Sequence, residues 1–291
     1  MQKLFLIIFF FTFLQSNAQN IGIGTNTPDP SAKLDITSTN SGFLPPRMSM
    51  LQRDSIQNPA EGLMIFNITK KCTEVFVAGT WQSIYCYQPP NLTDIDGNIY
   101  STTQICDQVW TSKNLDVVRY RNGDIIPQVT DAAQWRSLTT GAWCYYNNDP
   151  AMGAIYGKLY NWYAINDARG LAPQGWHVPS LFEYNLLAEN CLGGFNFAGG
   201  AMKETDTLHW NTPNTVANNN SGFSGLPGGY RSNNGSYIVG IFGFGGYWWS
   251  SSDLICGAGA NALFLKNDNT DANTGYCFNK LIGLSVRLVK D

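Results

Sequence analysis

GFSGLPGGYRSNNGSYIVGIFGFGGYWWS, residues 222–250, decides the architecture of this chain. Short aromatic runs alternate in it with Gly/Asn turns, a texture of short strands and tight turns rather than of a long helix. The same texture returns at Ala262–Leu265 and Gly275–Asn279, and Gly283–Val289 (GLSVRLV) alternates with Leu284, Val286 and Leu288 on one face. Working back from this stretch, Tyr156, Leu159, Tyr160, Tyr163 and Ala164 fall at i, i+3, i+4, i+7 and i+8, which predicts one helical face. Ser180-Leu-Phe-Glu183 is a capping box ahead of a second helix, with Leu181, Tyr184, Leu187 and Ala188 as its buried stripe and Gly193-Gly194 as its stop. Asp131–Gln134 opens a briefer one. Strands, two helices, then loop-rich strands make an α+β domain with a twisted antiparallel sheet and long loops. The first strand, near Ile99–Gln104, is expected beside the last.

Before this domain the chain has another character. Lys3, the apolar run Leu4–Leu14 and small residues at Ser16-Asn17-Ala18 predict a secretory leader cleaved after Ala18. The run is too short to span a bilayer, which takes about 20 residues. Residues 19–90 read as an extended arm and a small β-rich stem. Short strands are expected at Ile21–Thr25 and Leu34–Ile36, helical turns in Ser49–Ile56, a β-rich run at Gly62–Thr69, and two strands around the Ala78-Gly79 turn. Pro89-Pro90 marks the boundary with the larger domain, 91–291.

Composition narrows the function. Charged residues are 13% of the 291, about half the usual share, and the net charge is −3, so no basic stripe exists for nucleic acid. An exported chain is free to form disulfides. Of the seven cysteines, Cys72 and Cys86 flank a short hairpin and are the first expected pair; Cys106–Cys144 and Cys256–Cys277 follow, leaving Cys191 as the odd one. No cofactor or metal is expected: there are two His, no C-x-x-C, and no EF-hand spacing in Asn267–Asp271, which reads as a polar turn. His177 and His209 read as loop histidines satisfied by backbone. Gly240–Gly246 lacks the Lys-Ser/Thr of a phosphate loop.

Asp94–Asp291 resembles the Fibrobacter succinogenes major paralogous domain family. The resemblance runs through Asp96-Gly97-Asn98-Ile99-Tyr100, Gln108-Val109-Trp110 with Lys113-Asn114-Leu115, Tyr156–Trp162 (YGKLYNW), Gly175–Ser180 (GWHVPS), Leu226–Arg231 (LPGGYR), Trp248–Ser252 (WWSSS) and Ser285-Val286-Arg287. It implies an exported bacterial protein without assigned activity and a C-type-lectin-like fold, distantly similar to formylglycine-generating sulfatase-modifying enzymes. Such enzymes need a reactive Cys pair near the C-terminus to hold copper; Cys256 and Cys277 match no such segment, so no enzyme is expected. Family members often carry Cys where this chain has Leu288, which implies that Cys191 has lost its partner. Gly22–Thr25, Lys33–Ile36, Gly42–Met48 and Pro59–Leu63 resemble a surface or tail-fibre-like module that connects or oligomerises.

The expected function is therefore a secreted or cell-surface protein that binds glycan or a surface protein, oligomerising through its stem and spanning no membrane. Tyr230, Arg231, Tyr237, Trp248 and Trp249 are the candidate contacts, because exposed aromatics stack on sugars or anchor partners. Buried, the same rings are core, and the alternative is a structural surface-assembly component with no small ligand. Trp248 and Trp249 point to opposite faces, so one of them is expected at a surface.

Overall fold

The computed structural model describes residues 20–86, 88–238, 240–253 and 257–291. The expected leader, and Cys256 of the expected Cys256–Cys277 pair, lie outside the described residues; Cys277 itself is disulfide-bonded. Two compact units are present, Met1–Pro45 and Pro46–Asp291. In the first, Ile21–Ile23 and Leu34–Ile36 form a parallel two-stranded ribbon as predicted, with Ile21 paired to Leu34 and Ile23 to Ile36.

The second unit begins with a four-stranded sheet ordered Arg47–Met48, Met64–Asn67, Cys72–Val77 and Thr80–Cys86. Ser49 and Gln52 close a capping box on the helix Met50–Asp54. Ala78 and Gly79 turn the hairpin, both at positive φ, and Cys72 and Cys86 face each other across it and form the expected disulfide. This sheet is not a separate body. Met50 is buried in one cluster with Trp110, Tyr184 and Cys191, and the Cys106 N–H donates to the Thr69 carbonyl at 2.8 Å. The compact unit thus starts ahead of the Pro89-Pro90 boundary read from the sequence.

The larger domain is mixed helix and sheet built from small sheets. One is antiparallel, ordered Trp176–His177, Val289–Lys290, Gln108–Thr111 and Thr102–Ile105. The last strand therefore joins the first sheet but pairs with Gln108–Thr111, one strand over from the expected neighbour. The second is a three-stranded meander of Gly245–Trp249, Gly259–Lys266 and Asn273–Asn279. Of Gly283–Val289 only the end is in a strand; Gly283, Leu284 and Ser285 make single bridges to Arg231, Tyr160 and Trp248. Gly222–Arg231 and the described residues of Ser236–Phe242 form no strand and are joined by a bridge between Arg231 and Tyr237.

The expected helical face at Tyr156–Ala164 is absent. Pro150–Tyr156 is helical, but Gly157 sits at φ 70° and stops it, Leu159–Tyr160 pairs as a strand with Trp143–Cys144, and a new helix runs Trp162–Ile165. The buried positions are still Tyr156, Leu159, Tyr160 and Ala164, so the spacing marked burial and not periodicity. Ser180 and Glu183 do cap Leu181–Asn185, which continues as a wide turn through Leu186–Cys191 and buries Tyr184, Leu187 and Ala188. An unforeseen helix, Phe195–Met202, follows.

The cysteine pairing differs from expectation. Cys106 joins Cys191 across 85 residues, tying the first sheet to the end of the second helix, and Cys144 is the free, buried thiol. Burial pushes that thiol up, as expected for an inert interior cysteine.

Three fully buried cations organise the loops. Lys203 Nζ donates to the carbonyls of Thr215, Lys266 and Asn269 at 2.8–3.0 Å. Arg231 donates to Gly235, Val129 and Thr130 carbonyls at 2.6–2.9 Å and lies over the Trp135 ring, 4.4 Å from its centroid. Arg287 donates to the carbonyls of Thr111, Phe223 and Ser224 and to Asn114 Oδ1 at 2.7–2.9 Å. Among the described residues, none of the three pairs with a carboxylate. Of Asn267–Asp271, Asn269 thus gives its carbonyl to a cation, and that cation is the Lys203 ammonium. Burial pulls that ammonium down to about 8, so it remains charged at neutral pH. Lys203→Ala leaves three carbonyls without a donor and is expected to lower unfolding free energy by about 3 kcal/mol or more. Denaturant melts measure the loss, and added ammonium chloride is expected to restore part of it in the variant beyond any effect on wild type.

Candidate functional site

The strand Gly245–Trp249 lies between two apolar clusters, and this decides the fate of the candidate contacts. Trp248 faces one cluster, packed edge-on against Phe223, with its indole N–H donating to Asn114 Oδ1 at 2.8 Å. Trp249 faces the other, its N–H donating to the Tyr160 carbonyl at 2.8 Å. The opposite-face expectation holds, but neither ring reaches a surface; both are fully buried. Gly246 is required here, since a Cβ on it would collide with the Trp248 ring.

Arg231 is fully buried too, sandwiched between Trp135 and Tyr237. Tyr237 is half-buried, with its hydroxyl spent on the Tyr145 carbonyl and Asn148 Oδ1 at 2.9 and 2.8 Å; burial raises its pKa. Tyr230 is half-buried, edge-on to Tyr247. The five expected contacts do not converge on one accessible concavity. Arg231, Trp248 and Trp249 present no surface to a ligand, because the loop-rich half has sheet and rings on both sides of them.

The motif residues share this interior role. Asn114, from the Lys113-Asn114-Leu115 block, accepts from Trp248 and Arg287 and donates to the Tyr156 carbonyl at 2.8 Å. Lys158 is buried against Asp116 and over the Trp143 ring. Asn161 caps Trp162–Ile165 and also satisfies Ala142 N–H and the Thr140 carbonyl. Trp162 donates to the Ser250 carbonyl, and Ser252 Oγ accepts from the Leu181 N–H. Asp94 accepts from the Asp96 and Asn98 N–H groups, fixing the turn between Leu92–Thr93 and Ile99–Tyr100.

His177 is held by carboxylates, not by backbone as expected. Its Nε2 lies 2.7 Å from Glu183 Oε1 and its Nδ1 2.6 Å from Asp291 Oδ1. Glu183 serves twice: Oε2 closes the capping box on Ser180 while Oε1 holds the imidazole. Both ring nitrogens are occupied and no nucleophile is aligned on them, so the constellation fits a charged clamp better than a general base. His209 similarly engages Glu204 at 2.7 Å. Among the described residues no cluster of three or more His, Cys, Asp or Glu is disposed to hold a metal ion.

The open polar space lies elsewhere. Lys113, Asn114, Ala154 and Ile155 line both of two adjoining cavities of about 300 and 180 Å³. Arg287 and Glu204 line the larger, Asp116 and Tyr100 the smaller. Sequence reasoning missed this groove, because its residues come from six separated segments. A second, more apolar depression runs along the edge strand Asn273–Asn279 beside Phe195. No helix among the described residues is long and apolar enough to cross a membrane.

The family model described as the Fibrobacter succinogenes major domain matches residues 103–290, and one described as a phage tail like trimerisation region matches residues 22–98. No curated protein and no solved structure matches the chain.

The clamp has a pH signature. Glu183 first, then Asp291, raise His177 from its usual 6.5 to about 9, and Glu183 is lowered in turn. A raised base stabilises fully below its unfolded pKa and loses that contribution as pH climbs through the folded value; the lowered carboxyl loses its contribution as pH falls. The difference in thermal midpoint between wild type and His177→Gln is expected to be widest near pH 5–6.5 and to shrink toward pH 9. The imidazole proton resonances should titrate near the same upper value.

Proposed function

Because the chain belongs to the Fibrobacter succinogenes major domain family, we propose that it is a non-catalytic, exported surface protein in which a self-assembling stem displays a rigid head. The observation that carries this reading is the parallel ribbon of the first unit. Ile21, Ile23 and Leu34 are 61%, 54% and 50% exposed, and Phe43 and Leu44 more so. A two-stranded ribbon with bare apolar side chains is not stable alone in water, and exposed apolar patches of this kind are interaction surfaces. Assembly of copies through it, in the manner of a phage tail like trimerisation region, covers those side chains.

The interior of the head supports the non-catalytic reading. Trp162, Trp248, Trp249, Lys158, Arg231, Arg287, Asn114 and Asn161 of the motif blocks are consumed in packing and in hydrogen bonds or ion pairs inside the protein, and both ring nitrogens of His177 are taken by carboxylates. The disulfides Cys72–Cys86 and Cys106–Cys191 suit an oxidising compartment, in keeping with export through the leader read at residues 1–18. A C-type-lectin-like arrangement of the head remains part of this proposal, and its contact with glycan or surface protein would be made by surface groups other than the buried rings.

Two measurements test it. Light scattering of the mature chain is expected to give a trimer, and Ile23→Asp with Leu34→Asp a monomer of unchanged head stability; a monomeric wild type sinks the reading. Mass spectrometry of protein secreted from an expressing bacterium is expected to find Gln19 as the first residue.

A further inference from the structure

The groove beside Lys113 carries an imbalance of charge. Both carboxylates that face it are already engaged: Asp116 by the Lys158 ammonium, and Glu204 by His209 Nδ1 at 2.7 Å. Its two cations are not. Lys113 is exposed and makes no ion pair among the described residues. Arg287 backs the larger cavity, fully buried, with its four hydrogen bonds all going to uncharged oxygens. A guanidinium has five donors, and a buried charge without a counter-ion projects its field into the nearest polar space, where low dielectric walls weaken screening.

We propose that this groove binds a small monoanionic carboxylate, with Lys113 as the contacting cation and Arg287 as a fixed positive charge behind the floor. The remaining walls define the body that carries the carboxylate. Ser101 and Ser112 offer hydroxyls that make no hydrogen bond among the described residues, and Ala154 and Ile155 offer an exposed apolar wall. Hydroxyl groups together with an apolar surface match a sugar ring. A volume of about 300 Å³ sits at the lower limit of small-molecule sites and suits a single ring. A hexuronate meets all of these conditions; a peptide C-terminus shares the carboxylate but not the ring. The groove is the ligand site for which the head would be displayed, and in that sense it rests on the display reading.

Calorimetric titration of the whole mature chain at constant ionic strength tests this, with sodium glucuronate, glucose and N-acetylalanine as probes. Saturable binding of glucuronate in the millimolar range is expected, at least about tenfold tighter than glucose. Lys113→Gln should weaken it by about tenfold, while Lys113→Arg keeps most of it and both retain the wild-type thermal midpoint, because the side chain is exposed. Binding of N-acetylalanine as tight as glucuronate, with the same dependence on Lys113, supports the carboxylate site and assigns its source to peptide. Glucose binding as tight as glucuronate, no binding of either anion, or a Lys113→Gln protein that binds as wild type overturns the proposal. Light scattering on the same samples reports stem assembly separately, so the two readings fail independently.

Discussion

A loop-rich domain must find donors for its main-chain carbonyls, and here Lys203, Arg231 and Arg287 supply them. Buried carbonyls that belong to no helix or sheet need partners. An ammonium with three donors or a guanidinium with five can gather carbonyls from segments far apart in sequence. Arg287 joins Thr111 to Phe223 and Ser224, Arg231 joins Val129 and Thr130 to Gly235, and Lys203 joins Thr215 to Lys266 and Asn269. Burying an ion costs several kcal/mol even after relaxation. The cages offset that cost with oriented carbonyl dipoles and with ring faces, Trp135 under Arg231 and Phe223 under Arg287. A carboxylate in any cage would take donors away from the loops it holds. Few charges in the chain and three buried cations without acids are two sides of one design.

Local chemistry was legible in the sequence because it acts within a few residues. The Ser180–Glu183 box, the Ala78-Gly79 turn and the Cys72–Cys86 hairpin each depend on a spacing that the letters show. The spacing from Tyr156 to Ala164 misled because burial at i, i+3 and i+4 also fits a helix, a two-residue strand and a second helix; the Gly157 letter was the signal that the helix stops. Cys106–Cys191 was beyond reach, since a bond across 85 residues leaves no local trace. The carbonyl cages were invisible for a plainer reason: a main-chain oxygen has no letter.

The aromatic count invited a binding surface, and the structure turns it into an interior. Alternation along Gly245–Trp249 was read correctly, yet exposure does not follow from alternation when both faces of a strand are covered. Trp248 and Trp249 show the difference: each indole N–H is spent on a partner inside the protein. In the proposed reading, recognition passes to residues that stand beside the packed motifs rather than within the core.

Lys113 is the instructive case. Its neighbour Asn114 is fixed by three hydrogen bonds, from Trp248, from Arg287 and to Tyr156, so the backbone that carries Lys113 is anchored to the buried interior of the domain. A flexible charged side chain on an anchored backbone samples a small volume around one spot, which lowers the entropy lost when it meets a ligand. The same network that uses Arg287 to close the loops leaves its charge unneutralised behind that spot. Packing and the recognition proposed for the groove would then share one cation, which the interior bonds hold in place.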